Sequence, residues 1–321
     1  MPLWLNEADV RALLPMRDLI DATRRAVAAF SAQQVTQPVR TVFAIPGGFF
    51  AAMPACITAG DPALGAKLVT VCHHNAAHGL PSHLATILLM EPNTGALLAV
   101  MDGRYITEAR TAAASAVAVN LLALENAGKL AILGTGVQAR SHLQALTLVR
   151  RFAEIRLWSP TPAKLQKFVS ESTGYPVRAA ATAEEAVRDA DVIALVTSSS
   201  VPVIDDAWVK PGACVASVGA CRPAEREMDP ALVARARLYV DSRAAALTES
   251  GDIVQGIREG RFGESHILAE LGELVVDPAL GRTSADQVAI FKSLGIAVED
   301  VAAAALVCGR AVAAGRGQPL D

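Results

Sequence analysis

The chain contains few charged and aromatic residues, and this scarcity excludes several classes of protein. Of its 321 residues, 19% are charged and 4% are aromatic, whereas 52% are hydrophobic, so alanine, valine and leucine must form most of the core. The formal net charge is −3 and no block of basic residues occurs. We therefore expect no nucleic-acid partner, because nothing supplies a row of phosphate contacts. A chain of this length is expected to form two domains.

Cysteine is also scarce, and its spacing suits neither a disulfide framework nor a zinc site. The N-terminus lacks the basic start and the apolar run of a signal peptide, and no apolar stretch has the length of a membrane span. An odd number of cysteines without CxxC spacing is typical of free thiols in a reducing compartment. We therefore expect a cytoplasmic protein with no membrane partner. The cysteines are Cys56, Cys72, Cys214, Cys221 and Cys308.

Residues 129–146 have the pattern of a buried strand, a glycine turn and a helix. Gly134 allows a sharp turn after the strand, Gly136 lets the backbone approach a phosphate with no Cβ in the way, and Ala139 allows the helix to pack closely. The free N–H groups of the helix N-terminus favour a pyrophosphate. A scaffold turn is the alternative, but the strands and helices downstream favour dinucleotide binding. The predicted cofactor-binding residues here are Gly134, Gly136, Val137, Gln138 and Ala139.

The order of the predicted elements indicates an α/β protein with two domains. The first part of the chain combines helices with short extended runs, which is typical of an α+β domain with a mixed sheet. From residue 129 onward, strands and helices alternate, which indicates a Rossmann-type, doubly wound parallel sheet. We assign the final helix, predicted over residues 297–314, back to the first domain. The predicted division is 1–118 with 302–321 for the substrate domain and 119–301 for the dinucleotide-binding domain.

Three cationic residues, Arg40, Lys67 and Arg110, are candidates for binding an anion beside the cofactor. Lys67 interrupts an apolar strand, where a buried ammonium is costly unless it pairs with an anion or becomes neutral. A lysine that faces solvent is the alternative. Arg110 begins a helix of small residues, and its guanidinium suits a carboxylate or a phosphate. A helix salt bridge in the neighbourhood of Glu108 fits the pattern of Arg110 equally well.

Two other groups of polar residues receive no functional role from the sequence. Glu299 and Asp300 open the final helix, where acidic side chains interact favourably with the helix dipole, so we interpret them as ordinary charges of a helix start. Four histidines lie close together in a segment with loop-forming residues and no carboxylate, and we therefore expect no metal site. These histidines are His73, His74, His78 and His83.

Several segments of the chain resemble signatures of the ornithine cyclodeaminase and mu-crystallin family. The resemblance implies NADPH-dependent reduction of cyclic ketimines, with Arg40, Lys67 and Arg110 holding the substrate carboxylate beside the nicotinamide. It also implies a homodimer formed through the first domain, an active site between the domains, and cofactor contacts at Ser293 and Gly295. The last four segments lean towards the mu-crystallin branch. The segments are 66–71, 80–86, 98–103, 110–113, 218–223, 238–242, 249–253 and 291–300.

One departure from the family pattern distinguishes its branches. Cyclodeaminases have an aspartate two residues before the proline of segment 218–223, where this chain has Cys221. A thiol is a weaker base without a fixed negative charge, so Cys221 is predicted to lie beside the substrate of an imine reductase. The predicted reaction converts Δ1-pyrroline-2-carboxylate or Δ1-piperideine-2-carboxylate into L-proline or L-pipecolate. Ornithine cyclodeaminase, an alanine dehydrogenase-like enzyme and a non-catalytic NADP-gated binding protein remain alternatives.

A second departure concerns the choice of cofactor. The segment 157–161, after the second strand of the dinucleotide-binding domain, has no acidic residue for a ribose diol, which favours NADPH and leaves NADH possible. Pro160 stands where NADP-using relatives usually have an arginine. Ser159 and Thr161, with Lys164 nearby, are therefore the residues predicted to hold a 2′-phosphate.

Overall fold

The computed structural model describes residues 1–72 and 74–320, apart from the side chain of Ala76. It divides into two compact units. The first unit contains residues 1–110 together with the chain from Gly295 onward, and the second contains Thr111–Leu294. These boundaries fall several residues before those expected from the sequence, at 118 and 302. The expected boundaries lie inside the helices Arg104–Leu122 and Ala297–Ala314. The division at Arg110 also lies inside the first of these helices, whereas the division at Gly295 precedes the second.

The first unit begins with a short strand, a short helix and a longer helix, and continues mainly as strands. The side chain of Asn6 accepts a hydrogen bond from the backbone N–H of Asp9 at 3.0 Å and thereby caps the first helix. Arg104–Leu122 forms α3, which starts in this unit and extends into the sequence of the second. The elements before it are β1 (Leu3–Leu5), α1 (Glu7–Leu13), α2 (Met16–Ser31), β2 (Val35–Thr36), β3 (Thr41–Ile45), β4 (Gly48–Ile57), β5 (Ala63–Cys72), β6 (His83–Met90) and β7 (Leu97–Asp102).

The second unit alternates strands and helices. Its elements are β8 (Lys129–Leu133), α4 (Val137–Val149), β9 (Glu154–Trp158), α5 (Pro162–Glu171), β10 (Val177–Ala179), α6 (Ala183–Val187), β11 (Val192–Leu195), β12 (Cys214–Ser217), α7 (Pro230–Arg235), β13 (Arg237–Val240), α8 (Arg243–Glu249), α9 (Gly251–Arg258), β14 (Ile267–Glu270), α10 (Leu271–Val276) and β15 (Ala289–Lys292). All eight strands are parallel, in the order β10-β9-β8-β11-β12-β15-β13-β14. The order reverses between β8 and β11, which is the switch point where such sheets bind their ligands.

The predicted doubly wound parallel sheet is confirmed, but two of its strands were missed. Strand β15 lies between β12 and β13, inside the sheet, and β14 forms its edge. The four residues of β15 are all buried, including Lys292 at its end. A run this short that ends in a lysine does not show the apolar pattern by which a buried strand is normally recognised.

The chain then returns to the first unit as α11 (Ala297–Ala314) and β16 (Gln318–Pro319). Helix α11 has the predicted bounds and packs against α2 and against strands β4, β5 and β6. The sheet of this unit has the order β16-β1-β7-β6-β5-β4-β2, with β3 paired to β4. Its strand pairs are antiparallel except that of β1 with β7. Within residues 1–72 and 74–320, no helix is long and apolar enough to cross a membrane.

Candidate functional site

A group of buried charges connects three elements of the first unit. Lys67 on β5 places its Nζ 2.7 Å from Oδ2 of Asp300 on α11. Arg110 on α3 donates from Nε to the other oxygen of Asp300 at 3.0 Å and from Nη1 to Glu299 Oε2 at 2.7 Å. All four side chains are buried. Because an isolated buried charge is very costly, these pairings explain how an apolar strand and a helix of small residues accommodate Lys67 and Arg110.

The structure corrects the sequence interpretation of Glu299 and Asp300. They are not solvated charges of a helix start, since both side chains are fully buried and form ion pairs with Lys67 and Arg110. The alternative of a helix salt bridge of Arg110 near Glu108 is wrong, because the partners of Arg110 lie 189 and 190 residues away in the sequence. Lys67 does not face solvent either, being 1% exposed.

The mutual interactions of this group set its protonation. Burial lowers the pKa of Lys67 to about 8, and the nearby Arg110 acts in the same direction, while Asp300 opposes both. Burial works against the charged form of Arg110, but Asp300 and Glu299 outweigh it and raise the pKa of that guanidinium. Burial likewise opposes ionisation of Asp300, yet Arg110 and Lys67 hold its pKa below the usual value. Of Lys67, Arg110 and Asp300, Lys67 thus titrates closest to neutral pH.

The third predicted cation, Arg40, lies in the same region of the first unit. Its Nη2 donates to the carbonyl oxygen of Gly295 at 3.4 Å, and its charge acts on Lys67. Gly295 has a φ of +78°, and a Cβ there would collide with the guanidinium of Arg110. Three cations and two carboxylates therefore come together, so that these five side chains carry a net charge of +1 when all are ionised. This excess suits an anionic ligand such as a carboxylate.

The histidine segment is only partly a loop. His83 begins β6, and burial, reinforced by Lys67 and Arg110, lowers its pKa to about 4, so its imidazole is neutral at neutral pH. His78 ends a short 3-10 turn that starts at Asn75, whereas His73 lies outside the described residues. Within the described ranges, no group of three or more histidine, cysteine or acidic residues is arranged to hold a metal ion.

The glycine turn of the second unit has the features that a dinucleotide requires. Gly134 has a φ of +126°, and a Cβ there would lie 2.5 Å from the carbonyl oxygen of Val196, so only glycine fits. Gly136 precedes the first turn of α4, and a Cβ on it would meet open space. Ala139 is fully buried. The exposed backbone at Gly136 and the unpaired N–H groups of the helix start form a cradle that fits a pyrophosphate.

The residues predicted for the 2′-phosphate follow β9, beside the glycine turn. The Ser159 hydroxyl accepts hydrogen bonds from Thr135 Oγ1 at 3.4 Å and from the backbone N–H of Thr161 at 3.3 Å. Thr161 and Lys164 are exposed. This short segment therefore offers hydroxyls, backbone N–H groups and an ammonium, but no carboxylate.

The remaining predicted site residues of the second unit follow β12 and β15. Cys221 is exposed, and its thiol donates to the carbonyl oxygen of Val218 at 3.2 Å. Ser293 is buried, and its hydroxyl donates to Asp241 Oδ2 at 3.4 Å. Both residues lie beyond the carboxyl ends of their strands, which is the edge where doubly wound sheets bind ligands.

Comparison with known proteins places this geometry in a family. The model of the ornithine cyclodeaminase/mu-crystallin family matches residues 2–315. The chain belongs to this family. It is 44% identical over 314 residues to the ketimine reductase mu-crystallin of Mus musculus, covering 95% of this chain and 96% of that protein. The family and the fold predicted from the sequence are therefore confirmed.

Two solved structures of relatives superimpose on nearly the whole chain. The Δ1-pyrroline-2-carboxylate reductase of Thermococcus litoralis, solved with NADH and L-proline, has a TM-score of 0.95 and 35% identity, covering 99% of this chain and 100% of that one. An archaeal alanine dehydrogenase dimer with bound NAD has a TM-score of 0.94 and 31% identity, covering 100% of this chain and 99% of that one.

Proposed function

We propose that the protein is an NAD(P)H-dependent ketimine reductase. Its substrate is a cyclic imine carboxylate, Δ1-pyrroline-2-carboxylate or Δ1-piperideine-2-carboxylate, and its product is L-proline or L-pipecolate. The observation that carries this proposal is the group formed by the buried Lys67 and Arg110 with the partly buried Arg40, in which three cations exceed two carboxylates. The glycine turn of the second unit supports the cofactor, and the relatives named a ketimine reductase and a pyrroline-2-carboxylate reductase support the substrate class.

The residues of the first unit have distinct roles in the proposed reaction. Arg110, fixed by Glu299 and Asp300, presents its guanidinium to the substrate carboxylate together with Arg40. Lys67 stabilises charge and, directly or through an ordered water, provides the proton for the imine nitrogen. Protonation makes the imine carbon more electrophilic, and fixed charges oriented in advance accelerate such a step. A bound nicotinamide cofactor supplies the hydride.

Most of the proposed cofactor-binding residues belong to the second unit, and Gly295 belongs to the first. Gly134, Gly136 and the first turn of α4, with Val137, Gln138 and Ala139, take the pyrophosphate. Ser159 and Thr161 take the 2′-phosphate, while Ser293 and Gly295 complete the cofactor contacts. Cys221 stands beside the substrate as a group without a fixed negative charge. No residue of this arrangement is a carboxylate placed to deprotonate an amine, which separates the proposal from a cyclodeaminase.

The function is tested by a screen of substrates. With NADPH, we expect rapid oxidation of the cofactor by the five- and six-membered cyclic imine carboxylates, because a planar carboxylate beside the C=N bond fits the cationic group. L-ornithine with NAD should release little or no ammonia. Substantial ammonia release would favour a cyclodeaminase, and faster turnover of pyruvate with ammonia would favour an alanine dehydrogenase. Binding of NADPH without turnover of any imine would indicate a binding protein.

The pH dependence of the reaction tests the role of Lys67. If the ammonium of Lys67 is required, kcat/KM is constant at low pH and falls as the pH rises through about 8, where the cation is lost. Asp300→Asn removes the anion that stabilises this cation, so the fall should move to lower pH. A fall caused by titration of the substrate imine would stay in place.

A matched control for this shift is Asp18→Asn. Asp18 pairs with Arg310 at 2.5 Å, but both side chains are partly exposed. This variant should leave the pH profile unchanged. If both variants shift the profile alike, or if neither does, the pH dependence does not come from Lys67. Lys67→Ala should in addition lower kcat/KM by roughly a hundredfold while NADPH still binds.

We propose that the cofactor preference is for NADPH, because segment 157–161 has no carboxylate to hydrogen-bond a ribose diol and repel a phosphate. The wild-type protein should show a higher kcat/KM with NADPH than with NADH. Ser159→Asp should reverse the preference. Ser159→Ala should lower kcat/KM with NADPH without raising kcat/KM with NADH. Steady-state kinetics with both cofactors measure these ratios. A wild-type preference for NADH would contradict the proposal.

We also propose a homodimer that forms through the first unit. Within the described part of the chain, β3 pairs with β4 and with no other strand, and its residues Val42 and Phe43 are 50% and 52% exposed. Phe43 contacts the ring of Phe50, with 5.0 Å between the ring centroids, so the exposed aromatic is held in place. Large exposed apolar side chains on an edge strand are typical of an interface. A second copy of this chain is the proposed occupant, as the related alanine dehydrogenase was solved as a dimer.

Sedimentation velocity tests the dimer. The wild-type chain should sediment as a dimer, and Phe43→Asp should yield monomers, because a carboxylate would be buried at the interface without a partner. Val276→Asp is the control, since Val276 is 68% exposed in the second unit. A monomeric wild-type protein, or equal dissociation of both variants, would contradict this interface.

A further inference from the structure

One glycine of the second unit is held by two buried side chains of opposite charge. The backbone N–H of Gly219 donates to Glu227 Oε2 at 2.7 Å, and its carbonyl oxygen accepts from the Nζ of Lys292. A Cβ on Gly219 would lie 2.5 Å from Glu227 Oε1 and 2.5 Å from the carbonyl oxygen of Thr197. Glu227 and Lys292 are both 0% exposed. Nothing in the reaction proposed above uses either side chain.

Glu227 also fixes the neighbouring turn, which follows β11. Its Oε1 accepts hydrogen bonds from the backbone N–H of Thr197 at 2.8 Å and from the Thr197 hydroxyl at 2.7 Å. The two oxygens of one carboxylate thus hold the first residues of two turns, one after β11 and one after β12. A carboxylate that accepts hydrogen bonds from several backbone N–H groups holds them firmly in place. We call Glu227, with Lys292 and Asp252, the clamp.

Asp252 holds the far end of the loop that contains Cys221. Its Oδ1 accepts from the backbone N–H groups of Glu227 and Met228, both at 2.9 Å, and its Oδ2 lies 3.3 Å from Lys292 Nζ. The two ends of the loop from Gly219 to Glu227 are therefore joined, because the backbone N–H of Gly219 donates to the side chain of Glu227. Cys221 is carried on the exposed part of this closed loop.

The clamp is in direct continuity with the glycine turn. Val196, whose carbonyl oxygen lies against Gly134, is the residue before Thr197. A doubly wound sheet consists of two halves that meet at the switch point. Each half binds one mononucleotide of the cofactor at the carboxyl ends of its strands. The adenosine half belongs to β8, β9 and β10, so the nicotinamide half belongs to the turns after β11 and β12. These are the two turns that Glu227 holds.

We propose that Glu227, together with Lys292 and Asp252, is a positioning residue that fixes the turns after β11 and β12 for hydride transfer. This inference rests on the proposed reductase function. The pyrophosphate is held elsewhere, at the start of α4, so the clamp sets the geometry of the reacting ring and of the Cys221 loop and contributes little to cofactor affinity. Misplacement of reacting groups by about 1 Å can cost on the order of a hundredfold in rate.

The charged and polar neighbours of Glu227 partly offset the cost of burying its carboxyl group. Burial raises the pKa of Glu227, but Lys292 and the Thr197 donors act against it. Lys292 keeps a raised pKa despite its burial, because Asp252 leads the anions that stabilise its ammonium. In Glu227→Gln, one oxygen becomes an NH2 group that can only donate, and it would face either the Gly219 or the Thr197 N–H. One of the two turns must then move.

The test compares Glu227→Gln with Asp191→Asn. Asp191 is a matched control, because it accepts from the backbone N–H groups of Gly128 and Lys129 at 2.8 Å and pairs with Lys210 at 2.5 Å. Asp191 differs from Glu227 in that it lies at the amino ends of the strands of the same sheet. Both variants should lower the melting temperature. Glu227→Gln should also lower kcat by roughly ten- to a hundredfold, with the Kd for NADPH, measured by fluorescence titration, within about threefold of wild type. Asp191→Asn should change neither.

A second readout uses the protein without cofactor or substrate. The rate at which iodoacetamide alkylates Cys221, followed by mass spectrometry of its peptide, should rise in Glu227→Gln and stay unchanged in Asp191→Asn, because only the first variant releases the loop. If Glu227→Gln does not fold, Gly219→Ala serves instead, since its methyl group displaces the loop without changing any charge. The same loss of kcat and gain in alkylation are expected from it.

The outcomes separate this inference from the proposed function. A wild-type protein that reduces no imine contradicts the reductase function, whereas the alkylation and NADPH measurements still report on the clamp. Unchanged kcat and alkylation in Glu227→Gln, or in Gly219→Ala where that variant is used, would overturn the positioning role. So would an equal loss of kcat in Asp191→Asn, or a loss confined to NADPH affinity.

Discussion

The site of the first unit depends on Asp300, whose two oxygens bind Lys67 and Arg110. This carboxylate joins β5, α3 and α11, which are far apart in the sequence, so the contact links distant segments of the unit. Removing one partner of such a buried pair costs about 3–5 kcal/mol. The three cations outnumber the two carboxylates, however, and the excess charge is relieved when an anion binds. The contacts that stabilise the unit therefore also leave an excess of positive charge that suits a carboxylate.

The second unit uses buried charge in a different way. Glu227 and Asp252 outnumber Lys292, and their oxygens are directed at backbone N–H groups of the same unit. In the first unit the excess positive charge suits an anionic ligand. In the second unit, backbone N–H groups donate to the oxygens of Glu227 and Asp252. Backbone N–H groups that donate to buried carboxyl oxygens leave that part of the backbone little freedom to move. The first group is thus suited to binding and proton transfer, and the second to holding a shape.

The sequence predicted the parts of the molecule whose signals are local. The turn at Gly134, the alternation of strands and helices, and the apolar strand around Lys67 each show in a few consecutive residues. Glu299 and Asp300 were misread because their position at a helix start has a sufficient local explanation, while their partners lie far away in the sequence. Glu227 gave no signal, since an acidic residue between two elements is ordinary until its neighbours in space are known.

The protonation of Lys67 also bears on the direction of the proposed reaction. With a pKa of about 8, Lys67 is mostly cationic at neutral pH, by roughly ten to one at pH 7. Reduction of an imine consumes a proton, whereas oxidation of an amine requires a base to remove one. The cationic form of Lys67 cannot act as such a base. The chain is therefore equipped to donate a proton, which favours reduction of the imine over oxidation of the amino acid.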